Sequence, residues 1–309
     1  MSTAAIENTT LQRAHNIDAS ILYRSEVFNR TEVTKPLFGT HFEPEKGVFW
    51  IYLNENSPAK FTPALIDALR CQQVDIVERT KREIANGISP KINYQVFSSS
   101  IPKVFNLGGD LEFFLKKIKQ KDREGLSQYA KNCVDLTYNS ATHFDLPITT
   151  ISLVQGTALG GGFEAALAND IVIAEKGCKM GLPEILFNLF PGMGAYQLLS
   201  RRIPPAKAEQ FILSGLTYTS DELYDMGLID ILAEKGEGED AVWDCINKTH
   251  GKSHGRNALR TVIQKVDKLD YRNFIEVVNI WVDAAFGLSK SDLKTMELLL
   301  RSQKRLDIQ

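Results

Sequence analysis

The chain has 309 residues, 43% of them hydrophobic and 24% charged, with a formal net charge of −2. That length supports one large core or two modest ones. The near-neutral balance argues against nucleic acid as a bulk electrostatic partner, and no run of roughly eighteen apolar residues is present to span a membrane.

In chain order, residues 1–40 are polar and irregular and are expected to form an N-terminal extension. Their opening stretch, MSTAAIENTTLQRAHN, lacks the basic-then-apolar pattern of a secretory signal. Cys71, Cys133, Cys178 and Cys245 form no CxxC pair, the usage of reduced thiols. These features predict a soluble cytoplasmic protein.

From Val48 the pattern alternates strands and helices. VFWIYLN at Val48–Asn54 reads as a strand, and Pro63–Asn86 as a helix with apolar positions at Leu65, Ile66, Leu69, Val74 and Val77. A strand at Tyr94–Ser98 is followed by VFNLGGDL, which leads into a helix at Leu111–Lys119. There Asp110 is the expected N-cap and Glu112 lies in the first turn. A further strand, Ile148–Val154, precedes Gly160–Gly162 and a helix at Phe163–Asn169. The alternation continues to about Ala174 and predicts an α/β fold of ββα turns stacked as a spiral.

Beyond Ile203 the chain reads as mostly helical, over Lys207–Ser214, Ser220–Met226, Ala241–Thr249, Asn257–Lys268, Tyr271–Phe286 and Ser291–Arg305. The glycine-bearing charged turn Lys235–Asp240 marks the expected boundary between a core domain, 41–234, and a helical region, 235–309.

Three segments carry chemistry. Glycines at a strand-to-helix junction let the backbone approach a ligand and leave the first helix amides without partners. Such amides suit an oxygen that gains negative charge. Gly160–Gly162 sits at one such junction, with Glu164 just inside the helix, and Gly108–Gly109 at another. Met180–Gly194 (MGLPEILFNLFPGMG) adds a second acid, Glu184, behind Pro183. Two acids beside a two-amide oxyanion hole are equipment for acyl chemistry with proton transfers. A glycine turn that merely packs a helix on a sheet explains either glycine run alone.

In order and spacing these segments resemble the crotonase (enoyl-CoA hydratase/isomerase) superfamily. YLNENSPAKFTPALIDAL and LSGLTYTSDELYDMGLI extend the likeness over about Gly47 to Ile231. Within the superfamily, ISLVQGTALGGGFEAAL, MGLPEILFNLFPGMGAY and IWVDAAFGL resemble the bacterial diffusible-signal-factor synthases of quorum sensing. The resemblance implies a crotonase-like spiral whose C-terminal helices pack at subunit interfaces, in a homotrimer or dimer of trimers. It implies that the amides of Gly109 and Gly161 form the oxyanion hole and that Glu164 and Glu184 are the acid/base pair. Gly108, Gly160, Leu159 and Met193, on the same segments, are expected to contact substrate.

The implied reaction dehydrates a 3-hydroxyacyl chain, carried on acyl carrier protein, to a cis-2-enoyl chain. Thioester hydrolysis then releases the free fatty acid signal. The alternative is an enoyl-CoA hydratase of fatty acid degradation, with CoA as carrier. No cofactor or metal is implied, and a sensor-kinase domain is a possible further partner of such synthases.

Asn188 stands where hydratases usually have glycine. Phe187, Leu189 and Phe190 beside it, with Tyr196, read either as walls of an acyl tunnel or as ordinary core packing. His250 and His254 are four apart, but Gly251 and Gly255 interrupt the segment and no third ligand is evident, so a solvated loop is expected. The basic stretches Lys116–Arg123 and Lys248–Arg260 read as solvated surface or as a docking patch for acidic acyl carrier protein.

Overall fold

β-Branched and aromatic runs supply the strands of a computed structural model that describes residues 36–306. The larger sheet contains β1 (Phe38–Glu43), β2 (Val48–Leu53), β3 (Tyr94–Ser99), β5 (Thr149–Val154), β7 (Ile171–Glu175) and β10 (Ile231–Ala233), in that order. Its β1–β2 pair is antiparallel and its other pairs are parallel. The smaller sheet runs β4 (Val104–Asn106), β6 (Thr157–Leu159), β8 (Lys179–Gly181), β9 (Thr217–Thr219). Only its β8–β9 pair is antiparallel. Thus β3, β5 and β7 each pass directly into a strand of the smaller sheet, which is the expected spiral of ββα turns.

The helices are α1 (Pro63–Ala85), α2 (Leu111–Lys119), α3 (Arg123–Ala141), α4 (Gly161–Leu167), α5 (Ala195–Ser200), α6 (Pro205–Ser214) and α7 (Ser220–Asp225). The C-terminal set is α8 (Gly238–His250), α9 (Ser253–Val266), α10 (Tyr271–Phe286) and α11 (Lys290–Leu306). One face of the larger sheet buries Trp50, Val96, Ile151 and Leu153 against Val242 and Ile246 of α8. The other face, with Leu53, Phe97 and Val154, belongs to the main core. Every residue of β5 is buried, as a parallel strand covered on both sides requires.

Several expectations need adjustment. Residues 1–35 lie outside the described residues, but β1 begins at Phe38, inside the stretch read as an irregular extension. The nineteen-residue helix α3 has no counterpart among the sequence-based expectations. The turn at 235–240 separates no compact units, since β10 before it and α8 after it pack on the same sheet. α10 packs on α3 and α11 on α2 of their own chain. By contrast, α9 buries no side chain and exposes Leu259, Val262, Ile263 and Val266. Among the described residues no helix is long and apolar enough to cross a membrane.

Candidate active site

The triple glycine is part of a helix rather than a loop ahead of one: α4 starts at Gly161, and Gly160 is its N-cap with φ of 52°. Close packing explains the composition. A side chain on Gly162 would collide with the Asn106 carbonyl of β4, and one on Gly160 with the Glu184 carboxylate. A methyl on Gly161 would lie 2.5 Å from the Met193 sulfur and 3.6 Å from the Gly109 nitrogen. A methyl on Gly108, at φ of 85°, would lie 2.9 Å from the Gly161 nitrogen. The two glycine corners therefore approach each other closely. As the first residue of α4, Gly161 has no intrahelical acceptor for its amide.

The second corner is braced from a distance. Gly108 donates to Asn106 Oδ1 at 2.8 Å and Asp110 to the Tyr129 hydroxyl at 3.2 Å, which leaves the Gly109 amide between them. Tyr129 in turn donates to the Phe61 carbonyl at 2.5 Å, and the Phe61 amide donates to the Gly108 carbonyl at 2.8 Å. Asp110 caps α2 by accepting from Phe113 and pairs with buried Lys60 at 3.1 Å.

Glu164, 1% exposed, reaches the site from the first turn of α4. Its Oε1 accepts from the amides of Met193 (2.7 Å) and Ala195 (2.9 Å), so the carboxyl is held in one orientation. Glu184 sits on a 3-10 turn, Pro183–Phe187, that ends at Asn188 in the left-handed region with φ of 59°. Asn enters that region at modest cost, which accounts for its place where glycine is usual. The Oε2 of Glu184 is sealed from solvent without a hydrogen-bond partner.

Burial raises the Glu164 carboxyl well above the ordinary range, and the neighbouring Glu184 charge raises it further, against the two amides that favour ionisation. Burial also lifts Glu184, to about 7. Two neighbouring carboxyls with raised proton affinity titrate as a pair, so one can accept a proton while the other donates.

Both acids open on a cavity of about 270 Å³, near the lower end of small-molecule sites. Of the residues named in the sequence reading, Gly109, Gly160, Gly161, Leu159, Phe187, Leu189 and Met193 line it. Two residues depart from that reading. Phe190 is half-buried against the core and is not on the cavity wall, although Phe187 and Leu189 on either side of the left-handed Asn188 both are. Gly108 is likewise off the wall and serves the corner through its positive φ. Tyr196, at 49% exposure, points away from the core.

Residues that sequence reasoning missed come from α2, α3, α10 and α11: Phe114, Tyr129, Cys133, Trp281, Leu299 and Gln303. Phe114 packs edge-on against both Tyr129 (5.3 Å) and Trp281 (5.2 Å). Burial raises the Cys133 thiol far above its usual range, so it stays protonated. The available signal was the stripe Met296, Leu299, Leu300 and Gln303, in which an amide occupies a helical core position.

The basic stretches are largely engaged within the chain, through Lys117–Asp122 (2.5 Å), Lys119–Glu297 (2.7 Å) and Arg260–Asp170 (2.5 Å). His250 packs beside the Tyr94 ring, and among the described residues no cluster of His, Cys, Asp or Glu is arranged for a metal.

The family profile described as enoyl-CoA hydratase/isomerase matches residues 88–279, more than half of the chain. The chain belongs to the enoyl-CoA hydratase/isomerase family. It is similar to YngF of Bacillus subtilis, with 32% identity over 54% of this chain and 61% of that protein. Rat mitochondrial methylglutaconyl-CoA hydratase is 33% identical over 50% of this chain and 46% of its own length. The chain thus spans about half to three-fifths of these curated relatives. The crystal structure of an enoyl-CoA hydratase from Geobacillus kaustophilus shares the fold, with a TM-score of 0.65 at 20% identity, over 87% of this chain and 95% of that one.

Proposed function

We propose that this member of the family adds or removes water across C2–C3 of an acyl thioester. The observation that carries the reading is the junction of the two glycine corners beside two glutamates, Glu164 buried and Glu184 half-buried, with raised proton affinity. In the dehydrating direction one glutamate takes the C2 proton, and the electron pair moves to the thioester oxygen. The amides of Gly109 and Gly161 hold that oxyanion. The other glutamate donates a proton to the 3-hydroxyl, which leaves as water as the C2–C3 double bond forms. Hydration is the reverse sequence.

The relatives support an enoyl-CoA hydratase with CoA as carrier. A second reading, the signal synthase, draws its support from the apolar cavity walled by Phe114, Phe187, Leu189 and Trp281. There a 3-hydroxyacyl chain on acyl carrier protein loses water to give a cis-2-enoyl chain. Water then attacks the thioester carbon, the same amides hold the tetrahedral oxyanion, and the carrier thiol leaves with a proton as the free acid is released. The exposed apolar face of α9 supports a homo-oligomer.

Purified protein is to be incubated with trans-2-enoyl-CoA and with 3-hydroxyacyl carrier proteins of several lengths, with products identified by mass spectrometry. 3-Hydroxyacyl-CoA supports the hydratase, and free cis-2-enoic acid supports the synthase. No change in any thioester sinks both.

A further inference from the structure

We infer that Gln303, on the C-terminal helix, is a positioning residue that holds the Gly109 amide in its oxyanion-binding orientation. The inference rests on the role given above to that amide. Gln303 is 7% exposed, and its Nε2 donates to the carbonyls of Leu107 (3.1 Å) and Gly109 (3.0 Å). Both partners are acceptors, so the side-chain amide has one possible orientation, NH2 toward the corner and Oε1 away. The Oε1 so turned is buried without a partner. A leucine there would leave no buried oxygen unsatisfied, so packing alone does not call for an amide. What the amide supplies is its grip on two carbonyls.

Those carbonyls belong to the peptide units on either side of the one that carries the Gly109 N–H. The middle unit is pinned through its own carbonyl, the Gly108 oxygen, by the Phe61 amide at 2.8 Å. Two consecutive glycines offer little resistance to a peptide flip. Three peptide units fixed by two neighbours replace the missing steric constraint. α11 is itself fastened to α2 by Lys119–Glu297 (2.7 Å) and Lys304–Glu112 (2.9 Å). The C-terminal helix therefore latches an oxyanion donor that lies 194 residues earlier in the chain.

Gln303→Leu keeps the size and removes both donors. Gln303→Glu keeps the shape but, when ionised, sets a carboxylate against two carbonyls. Hydrogen–deuterium exchange of the full-length protein is to be followed in peptides spanning Val104–Leu111 and Gly160–Leu167. In Gln303→Leu, exchange over Leu107–Asp110 is expected to rise about tenfold or more, with none at Gly160–Leu167. With the thioester that the wild type accepts, kcat is expected to fall by about 10- to 100-fold while KM changes by less than about threefold. Gln303→Glu is expected to regain activity relative to wild type as pH falls, because the protonated carboxyl recovers one donor.

Unchanged exchange over Leu107–Asp110 overturns the latch, and so does a Gln303→Glu deficit that is the same at every pH. If Gln303→Leu fails to fold, the pH response of Gln303→Glu decides. A wild type that turns over no thioester sinks the proposed reaction, while the exchange data still decide whether Gln303 holds the corner.

Discussion

At the corner that opens α4, close packing leaves no room for side chains: those on Gly160 or Gly162 would strike the Glu184 carboxylate or the Asn106 carbonyl. At the corner ahead of α2, the chain is held by side chains from elsewhere, Tyr129 of α3, Gln303 of α11 and the Lys60–Asp110 pair. One corner is placed by the side chains its own residues lack, and the other by what distant residues contribute. A corner of the first kind is intolerant of change, whereas one of the second kind is adjustable in steps.

The largest effect belongs to the acids that both corners serve. Glu164→Gln or Glu184→Gln preserves shape and removes proton transfer, and kcat is expected to fall by roughly 10²–10⁴. Steady-state kinetics on the thioester that the wild type accepts is the measurement. Wild-type rates in both variants would show that neither acid acts on the substrate.

The comparison itself is tested by Gly162→Ala against Tyr129→Phe. The alanine methyl meets the Asn106 carbonyl, a backbone atom that cannot rotate away, so α4 has to shift with Glu164 on it. Loss of kcat by about 10² or loss of folding is expected, since displacements near 1 Å have that cost. Tyr129→Phe removes only the hydroxyl bridge between Phe61 and Asp110, and Lys60 and Gln303 still hold the corner. A drop of about tenfold or less is expected, with circular dichroism as the check on folding. Equal losses in the two variants would erase the distinction.

The same contrast decides what was legible in the sequence. Gly160–Gly162, Glu164 and the strand before them lie within a few residues of one another, so local pattern places them together. Pro183, Glu184 and the left-handed Asn188 form a second compact signal. Tyr129 and Cys133 were hidden because α3 (REGLSQYAKNCVDLTYNSA) mixes polar residues into its buried face, Asp135 and Thr137 included. Trp281 and Gln303 reach the cavity from helices whose docking no local pattern dictates. Phe190 was misplaced for a related reason: neighbours in sequence were assigned to one wall, whereas Phe187 and Leu189 line the cavity and Phe190 packs against the core.

A smaller effect follows from the acids' burial. Glu184 is lifted from 4.5 to about 7, so the native state holds a proton that the unfolded chain has released. Stability is then lost as pH rises from the unfolded value toward 7, and the deficit persists above it. Glu184→Gln is expected to match the wild type in denaturant unfolding near pH 5. Near pH 8 it should exceed the wild type by on the order of 2 kcal/mol. An equal difference at both pH values would mean that the carboxyl does not titrate between them. With Glu184 as the base, the acidic limb of kcat/KM is expected near the same pH of about 7, and with Glu184 as the acid the basic limb falls there.

The smallest expected effect separates two residues one step apart. Leu189 lines the cavity and Phe190 does not, although both are apolar and packed in the core. A buried methylene contributes about 0.8 kcal/mol, roughly fourfold in affinity, for as long as the cavity has room for it. Leu189→Ala removes wall atoms, so kcat/KM measured across acyl lengths is expected to shift its optimum toward longer chains by one or two methylenes, about four- to sixteenfold in preference. Phe190→Ala removes more carbon from a place off the cavity wall, so it is expected to lower stability by about 3–5 kcal/mol or less, given its partial burial, and to leave the optimum where it was. A shifted optimum in Phe190→Ala together with an unshifted one in Leu189→Ala would put the acyl chain against Phe190, and the cavity described here would not be the one that measures it.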